Sequence, residues 1–239
     1  SATRSSSYTA NGLSAQNNVT GDTKAAISDS QVTAGAAGFV LSALDDSSYS
    51  TTTQGEESRI SLNDVSGDVK AYVVDSTITV TDGDIRIFAE NKMDLDAVTY
   101  LSANGSSKVG ANIFAINVVN GDVAAYSDSS VLTTLNTGGI SLEAFNAMTI
   151  SAEVKWEAAA GSDATVASGS LAVGAGMAFN AVGWDMASVL SASVEDFFGD
   201  PEELLQAKNN PALTEAYLHD SEVASADTLL VDARSSSII

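Results

Sequence analysis

Short runs of alternating apolar and polar residues, each about five long, fill most of this chain, and pairs of turn residues punctuate them. The clearest passage is residues 65–90, where runs at 69–73, 77–81 and 84–88 are separated by Asp75-Ser76 and Asp82-Gly83. Period-two alternation over so few residues predicts strands with one buried face. Asp and Ser side chains bond turn backbone and glycine accepts positive φ, so both dipeptides predict corners.

Parts of this passage occur four times. Gly21-Asp22, Asp29-Ser30 and Val32-Thr33 form the first copy, and Gly67-Asp68, Asp75-Ser76 and Ile78-Thr79 the second. Gly121-Asp122, Asp128-Ser129 and Val131 form the third, and Glu215-Ala216-Tyr217, Asp220-Ser221 and Val223 the last. The leading glycines are 46 and then 54 residues apart. The last copy follows only after roughly two further unit lengths, so extra material precedes it. Fixed-period repeats call for a stacked, quasi-one-dimensional architecture. Strands this short, with no crossover helices between them, do not suit a βαβ fold. The prediction is therefore an all-β, right-handed parallel β-helix (a solenoid), with residues 1–239 as one domain and about 20–25 residues per turn, hence two coils per unit.

Stacking places like residues in columns. Asn17, Asn63 and Asn117 each precede a matching glycine by the same distance and predict one polar ladder; Asp29, Asp75 and Asp128 predict another. Val73 and Ile78 are expected to point inward, and Lys70 and Thr77 outward. The Asp-Ser of the third unit comes one residue early, which predicts a bulge or tightened turn. Residues 1–12 read as a polar lead-in and 47–55 as a polar, Thr-rich loop or edge.

From Trp184 the period changes. Trp184, Met186, Val189, Leu190, Val194 and Phe197 recur at helical spacing, and Gly199 ends the run. Asp200-Pro201-Glu202-Glu203 reads as N-cap, first-turn proline and carboxylate of a second short helix, which Asn209-Asn210-Pro211 ends. A helical insertion at 184–208 is expected, either as a flap burying Trp184, Leu190 and Phe197 against the stack or as a functional outgrowth.

Composition narrows the chemistry. Apolar residues make up 44% of the chain, enough for a sizeable core, while aromatics are only 6%. Thirty-one acidic residues against 10 basic ones give a net charge of −21, which repels nucleic acid and anionic membrane and favours cations or basic partners. Cysteine is absent, which rules out disulfides, thiolate catalysis and Cys-based metal sites. No run of eighteen apolar residues occurs, so no helical membrane span is expected. The last repeat stops just past a strand at 229–233 with no capping element, so the chain reads as a piece of a longer protein.

Candidate chemistry is sparse. His219 is the single histidine and sits beside Asp220 in a turn column, the place of a surface turn residue more than of a ligand or triad member. Asp82/Asp84, Asp94/Asp96 and Glu56/Glu57 are the carboxylate pairs a glycosidase would require. Asp94 and Asp96 share a strand face, but no Lys or Arg cluster there would hold an acidic sugar. Neither the EF-hand loop nor the Gly-rich calcium nonapeptide is present, leaving weak, diffuse calcium association as the expectation and no cofactor. Asn18-Val19-Thr20 and Asn104-Gly105-Ser106 are formal glycosylation sequons. Thr77, Thr79 and Thr81 share a face, but with Ser130, Leu132 and Thr134 at comparable spacing a flat ice- or mineral-binding threonine array is broken.

The combination Asn-Val-Val-x-Gly-Asp-Val-x-Ala-Tyr-x-x-Asp-Ser-x-Ile-x-Val resembles the repeats of very large bacterial exoproteins, the filamentous-haemagglutinin-like and leukotoxin-like adhesins. It covers residues 63–90 and 117–145 best, 17–34 in part and 217–233 as a partial copy. Gly183-Trp184-Asp185 before a helical insertion is similar to repeat ends in such proteins. The resemblance implies right-handed β-helical stalks, an extracellular or cell-surface location, and a structural, adhesin-type segment without catalysis. Its partners would be neighbouring repeats or domains of the parent protein and a cell-surface or glycan ligand. The alternative is a polysaccharide-acting β-helix lyase or hydrolase. Without end caps the segment is expected to be monomeric when dilute and to stack end to end when crowded.

Overall fold

The structure, a computed structural model, describes residues 2–9, 14–55, 59–103, 113–158, 176–184 and 211–239. Their regular elements are twenty strands, all paired in parallel, forming five four-stranded sheets. Sheet A holds β1 (Ala2–Thr9), β6 (Ser47–Gly55), β11 (Asp94–Ala103) and β16 (Thr149–Ala158). Sheet B holds β2 (Ser14–Thr20), β7 (Arg59–Ser66), β12 (Ile113–Asn120) and β17 (Gly176–Val182). Sheet C holds β3 (Thr23–Ser28), β8 (Val69–Val74), β13 (Val123–Asp128) and β18 (Thr214–His219). Sheet D holds β4 (Gln31–Ala34), β9 (Thr77–Asp82), β14 (Val131–Thr137) and β19 (Glu222–Ala224). Sheet E holds β5 (Phe39–Asp45), β10 (Ile85–Asn91), β15 (Ile140–Asn146) and β20 (Leu229–Ser235).

The chain visits the sheets in the order A, B, C, D, E and then returns to A, which makes a parallel β-helix. Each repeat unit is one coil of five strands, and not two coils of 20–25 residues. Strand partners in successive coils are 46, 54 and then 91 residues apart. Gly-Asp and Asp-Ser corners bend the chain without returning it to its starting sheet, so counting strand-turn units underestimated the coil. Two strands counted as irregular also belong to it. β1 occupies the predicted lead-in and pairs with β6, and β6 occupies the predicted loop. Thr51, Thr53 and Tyr49 of β6 point inward and are buried. Threonine suits a strand as well as valine does, so a polar inward face concealed this element from a hydrophobicity pattern.

Sheets C, D and E enclose the main core, built on Val69, Ala71, Val73, Ile78, Val80, Ile85 and Ile87 with their equivalents in the next coil. Val73 and Ile78 are fully buried, while Lys70 and Thr77 lie on the outer face, as the pattern predicted. Between sheets A and B the core turns polar. Thr53, Ser61 and Thr99 exchange hydroxyl contacts, and the Ser61 hydroxyl donates to the Val98 carbonyl at 2.7 Å.

Four asparagines run through this polar core. Asn17 Nδ2 donates to Asn63 Oδ1 (2.9 Å), Asn63 to Asn117 (2.8 Å) and Asn117 to Asn180 (2.9 Å). Each amide also donates across the coil to a carbonyl of sheet A: those of Ser50, Asp96, Ser151 and Ile150 respectively. One amide therefore ties its own coil across and the next coil above, which is why the residue recurs. The predicted ladder is present, inside strands of sheet B and not at a corner.

The predicted aspartate column shifts by one residue. Strand register holds throughout β8 and β13, so Asp128 pairs with Val74 and not with Asp75. The left-handed corner positions are Asp29 (φ 48°), Asp75 (48°), Ser129 (49°) and Asp220 (44°). No bulge is needed there, because serine replaces aspartate at that corner and the Asp-Ser match in the third unit was a coincidence of spacing. The next residue forms a serine relay. The N–H of Ser30 donates to the Ser76 hydroxyl, Ser76 to Ser130 and Ser130 to Ser221, at 3.0, 3.0 and 3.3 Å.

The helical insertion expected at 184–208 lies, apart from Trp184, outside the described residues; the described residues contain no helix.

Candidate functional site on the tyrosine-bearing face

Sheet C presents the most differentiated outer surface. Its outward positions are read off the register as three columns: Lys24–Lys70–Ala124–Glu215, Ala26–Tyr72–Tyr126–Tyr217 and Ser28–Val74–Asp128–His219. In-register stacking brings the tyrosine rings face to face. Tyr72 and Tyr126 have centroids 5.0 Å apart with planes 6° from parallel, and Tyr126 and Tyr217 are 4.8 Å apart at 5°. Both faces of the Tyr126 ring are covered by its two neighbours, and each such pair contributes about 0.5–1.5 kcal/mol beyond area burial. Burial raises the phenol pKa of Tyr126 and Tyr217, with neighbouring charges adding to it. At neutral pH these groups are neutral hydroxyls that donate and accept, not nucleophiles.

A ladder of aspartates borders this face at the B–C corner. The Asp22 carboxylate accepts from the N–H of Asp68, Asp68 from that of Asp122, and Asp122 from that of Leu213, each at 3.0 Å. Lys24 pairs with Asp22 and Lys70 with Asp68, both at 2.6 Å, and Lys70 also reaches Asp122 at 3.7 Å. The Asp68 N–H and then the Lys24 ammonium hold Asp22 below the usual carboxylate range. Burial pushes Asp68 up, but the Asp122 N–H and Lys70 together outweigh it and lower its pKa. Burial likewise works against the Lys70 charge, and Asp68 outweighs it. The shallow groove along this corner, lined by Gly21, Gly67 and Gly121 with Asp22 and Asp68, thus has its carboxylates engaged in holding coils together.

The other candidates fall apart in space. His219 Nδ1 lies 2.9 Å from Asp128 and 3.7 Å from Asp220 on an exposed part of sheet C. The bond to Asp128, then Asp220, raises the histidine pKa, while His219 and then Ser129 lower that of Asp128. Asp84 accepts from the Gly139 N–H at 2.8 Å and so closes a corner. Asp94 and Asp96 do share the outer face of β11, where their register neighbours are Ser48 and Thr149, and Ser50 and Ser151. Glu56 and Glu57 lie outside the described residues, as does the sequon at Asn104; Asn18 is exposed on β2. No group of three His, Asp or Glu side chains able to hold a metal ion occurs among the described residues. The threonine face differs in register from the expected one. Thr33, Thr79 and Thr133 form a column, but Thr77 is flanked by Gln31 and Val131.

A second surface had no signal in the alternation. Ile60, Leu62, Phe114, Ile116, Val118 and Ala181 occupy outward positions of sheet B, opposite the inward Ser61, Asn63 and Asn117. Leu62, Ile116 and Val118 are nevertheless only 6%, 2% and 1% exposed, and Trp184 packs with them. The equivalent positions of the first coil are the exposed Ser14, Gln16 and Asn18. Strands apolar on both faces mark sheets covered on both sides, so runs such as 113–119, Ile-Phe-Ala-Ile-Asn-Val-Val, carried this information in the sequence.

The chain matches no protein-family model, no curated protein and no solved structure.

Proposed function

We propose that this chain is a structural, adhesin-type segment of a secreted or cell-surface bacterial protein, wound as a right-handed β-helix that spaces or presents other parts of its parent. The observation that carries this reading is how the polar side chains are used. The asparagine, aspartate and serine columns bond each coil to the next and leave a regular lateral surface of hydroxyls, tyrosine edges and acidic groups. Such a surface suits repeated weak contact with a cell-surface or glycan partner better than turnover at one point. Among the described residues the alternative, a polysaccharide-acting β-helix enzyme, rests on Asp94 and Asp96, since Asp84 is engaged at a corner. A screen of neutral and acidic glycans separates the two. The expected result is no turnover; cleavage that disappears in Asp94→Asn or Asp96→Asn would sink the structural reading.

The same reading includes the helical insertion at 184–208, seated as a flap on the apolar outer face of sheet B. Two facts support it: the near-complete burial of Ile116 and Val118, and the position of Trp184 against that face at the start of the segment. Phe197→Ala is then expected to cost about 3–5 kcal/mol in chemical denaturation. A loss within about 0.5 kcal/mol, the range of ordinary surface substitutions, would make the segment a solvated outgrowth.

A further inference from the structure

The last inward position of sheet E carries a second polar column, Asp45–Asn91–Asn146–Ser235, one residue per coil. Asn91 and Asn146 end strands whose other inward residues are Ile85, Ile87 and Ala89, and Ile140, Leu142 and Ala144. The two asparagines are 6% and 3% exposed. Two residues further on, past the E–A corner, the buried Met93 and Met148 offer no side-chain donor. In the asparagine ladder of sheet B, the Oδ1 atoms of Asn63, Asn117 and Asn180 each accept from the amide of the coil below. At the E–A corner the Oδ1 atoms of Asn91 and Asn146 are buried and accept from nothing. The backbone supplies no donor either, because its N–H groups are committed between coils. Lys92 donates to the Asp45 carbonyl at 2.7 Å, and Ala147 and Ser236 donate to those of Asn91 and Asn146, both at 2.8 Å. Buried acceptors are rarely left so, and two in one column call for an electropositive partner between them.

We propose that the E–A corner binds a hard monovalent cation, Na+, between the second and third coils, held by the amide oxygens of Asn91 and Asn146. The donors are oxygens only, which selects a hard ion. Charge then selects its valence. Both amide oxygens are neutral, and the column's carboxylate is Asp45, one coil below, where it accepts from the Ser47 hydroxyl. One positive charge is balanced by Asp45, whereas a divalent ion would leave uncompensated charge in a buried place. Spacing selects the size. Equivalent atoms of paired strands repeat at about 4.7–4.9 Å, so an ion midway between the two oxygens lies about 2.4 Å from each. Ca2+ and the similarly sized Na+ coordinate at such a distance, while Mg2+ requires about 2.0–2.1 Å. A water would prefer about 2.7–2.8 Å, and the larger K+ fits less well than Na+. The net charge of −21 draws cations of every kind to the surface. This site differs from that diffuse association in being internal and in discriminating by charge and size.

The test is urea unfolding of the 239-residue chain in mixtures of NaCl, KCl and choline chloride held at one ionic strength, so that screening of the acidic surface is the same in each. The expected order of stability is Na+ above K+ above choline. Once the site fills, the unfolding constant should fall about tenfold for each tenfold rise in Na+, as one bound ion per chain requires. Asn91→Leu and Asn146→Leu place an apolar side chain at the end of an otherwise apolar strand face and should fold. Each should lose the preference for Na+, while Thr79→Ala on a lateral face should keep it. Asn146→Asp adds a second carboxylate and should transfer the preference to Ca2+; with no ion beside it, a carboxylate buried there would only destabilise the chain. Equal midpoints in all three salts, the behaviour of waters at the corner or of amides paired with each other, would overturn the proposal. A Na+ preference that persists in Asn91→Leu, or Asn146→Asp protein indifferent to Ca2+, would do the same.

Discussion

Replacing Asn63 by alanine is expected to destabilise the chain by about 3–5 kcal/mol, more than any single apolar contact of that volume would predict. The amide sits fully buried at the centre of the ladder and serves three neighbours. It accepts from Asn17 Nδ2 at 2.9 Å, donates to Asn117 Oδ1 at 2.8 Å and donates across the coil to the Asp96 carbonyl at 2.9 Å. Truncation removes those bonds and leaves an amide N–H, an amide oxygen and a backbone carbonyl to be satisfied in a space with no access to water. Each such group costs about 1–3 kcal/mol when stranded. Asn63→Leu should do little better, since it restores volume and not partners. The measurement is the urea midpoint at unchanged m-value, with Thr79→Ala on the outer face as the reference for a lateral change. A loss below about 1 kcal/mol for Asn63→Ala would mean that the ladder is incidental to stability.

The ladder also marks how far the sequence could be read. Asn17, Asn63 and Asn117 were visible as a column because they keep a constant distance to the Gly-Asp corner, and the register of sheet B preserves that distance. The parallel β-helix was legible for the same reason, since repetition constrains architecture more than propensity does. What was hidden depended on information that alternation does not carry. Coil length depends on which corners return the chain to its starting sheet, and Asp29-Ser30 looks no different locally from a hairpin turn. β6 was hidden because its inward face is Tyr49, Thr51 and Thr53, two of them polar. Asp128 was drawn into the wrong column because Asp-Ser is a common pair, whereas the backbone requires only a residue that accepts φ near 48°, and Ser129 supplies it. At the candidate site, the Ala-Tyr of the repeat motif places Tyr72, Tyr126 and Tyr217 in equivalent copies. Their ring stacking emerges only once strand register sets each ring directly over the one in the next coil.

Glycine at the B–C corner is expected to show a dependence on position that no propensity scale contains. Gly67→Ala should destabilise the chain by about 3 kcal/mol, while Gly21→Ala should change stability by less than about 1 kcal/mol. The two glycines are equivalent in sequence, each preceding the aspartate of its ladder, and neither has a left-handed φ; they differ in what lies on the next coil down. A Cβ on Gly67 would sit 1.9 Å from the Gly21 carbonyl oxygen and 2.7 Å from its carbon. Neither backbone can retreat easily, because the Gly67 N–H donates to the Asn120 carbonyl at 3.0 Å and the Gly21 N–H to that of Ser66 at 3.0 Å. Relief would require breaking a coil-to-coil bond or spreading two coils that the aspartate ladder holds at 3.0 Å. Gly21 faces no coil within the chain, and its φ is not in the left-handed region, so alanine there loses nothing in the folded state and reduces the freedom of the unfolded one. Thermal melts of the two variants in parallel, at a concentration low enough to keep the chain dispersed, decide the matter. Equal losses at both positions would show that the corner needs glycine for its dihedral angles, and that close approach of stacked coils is not what excludes a side chain.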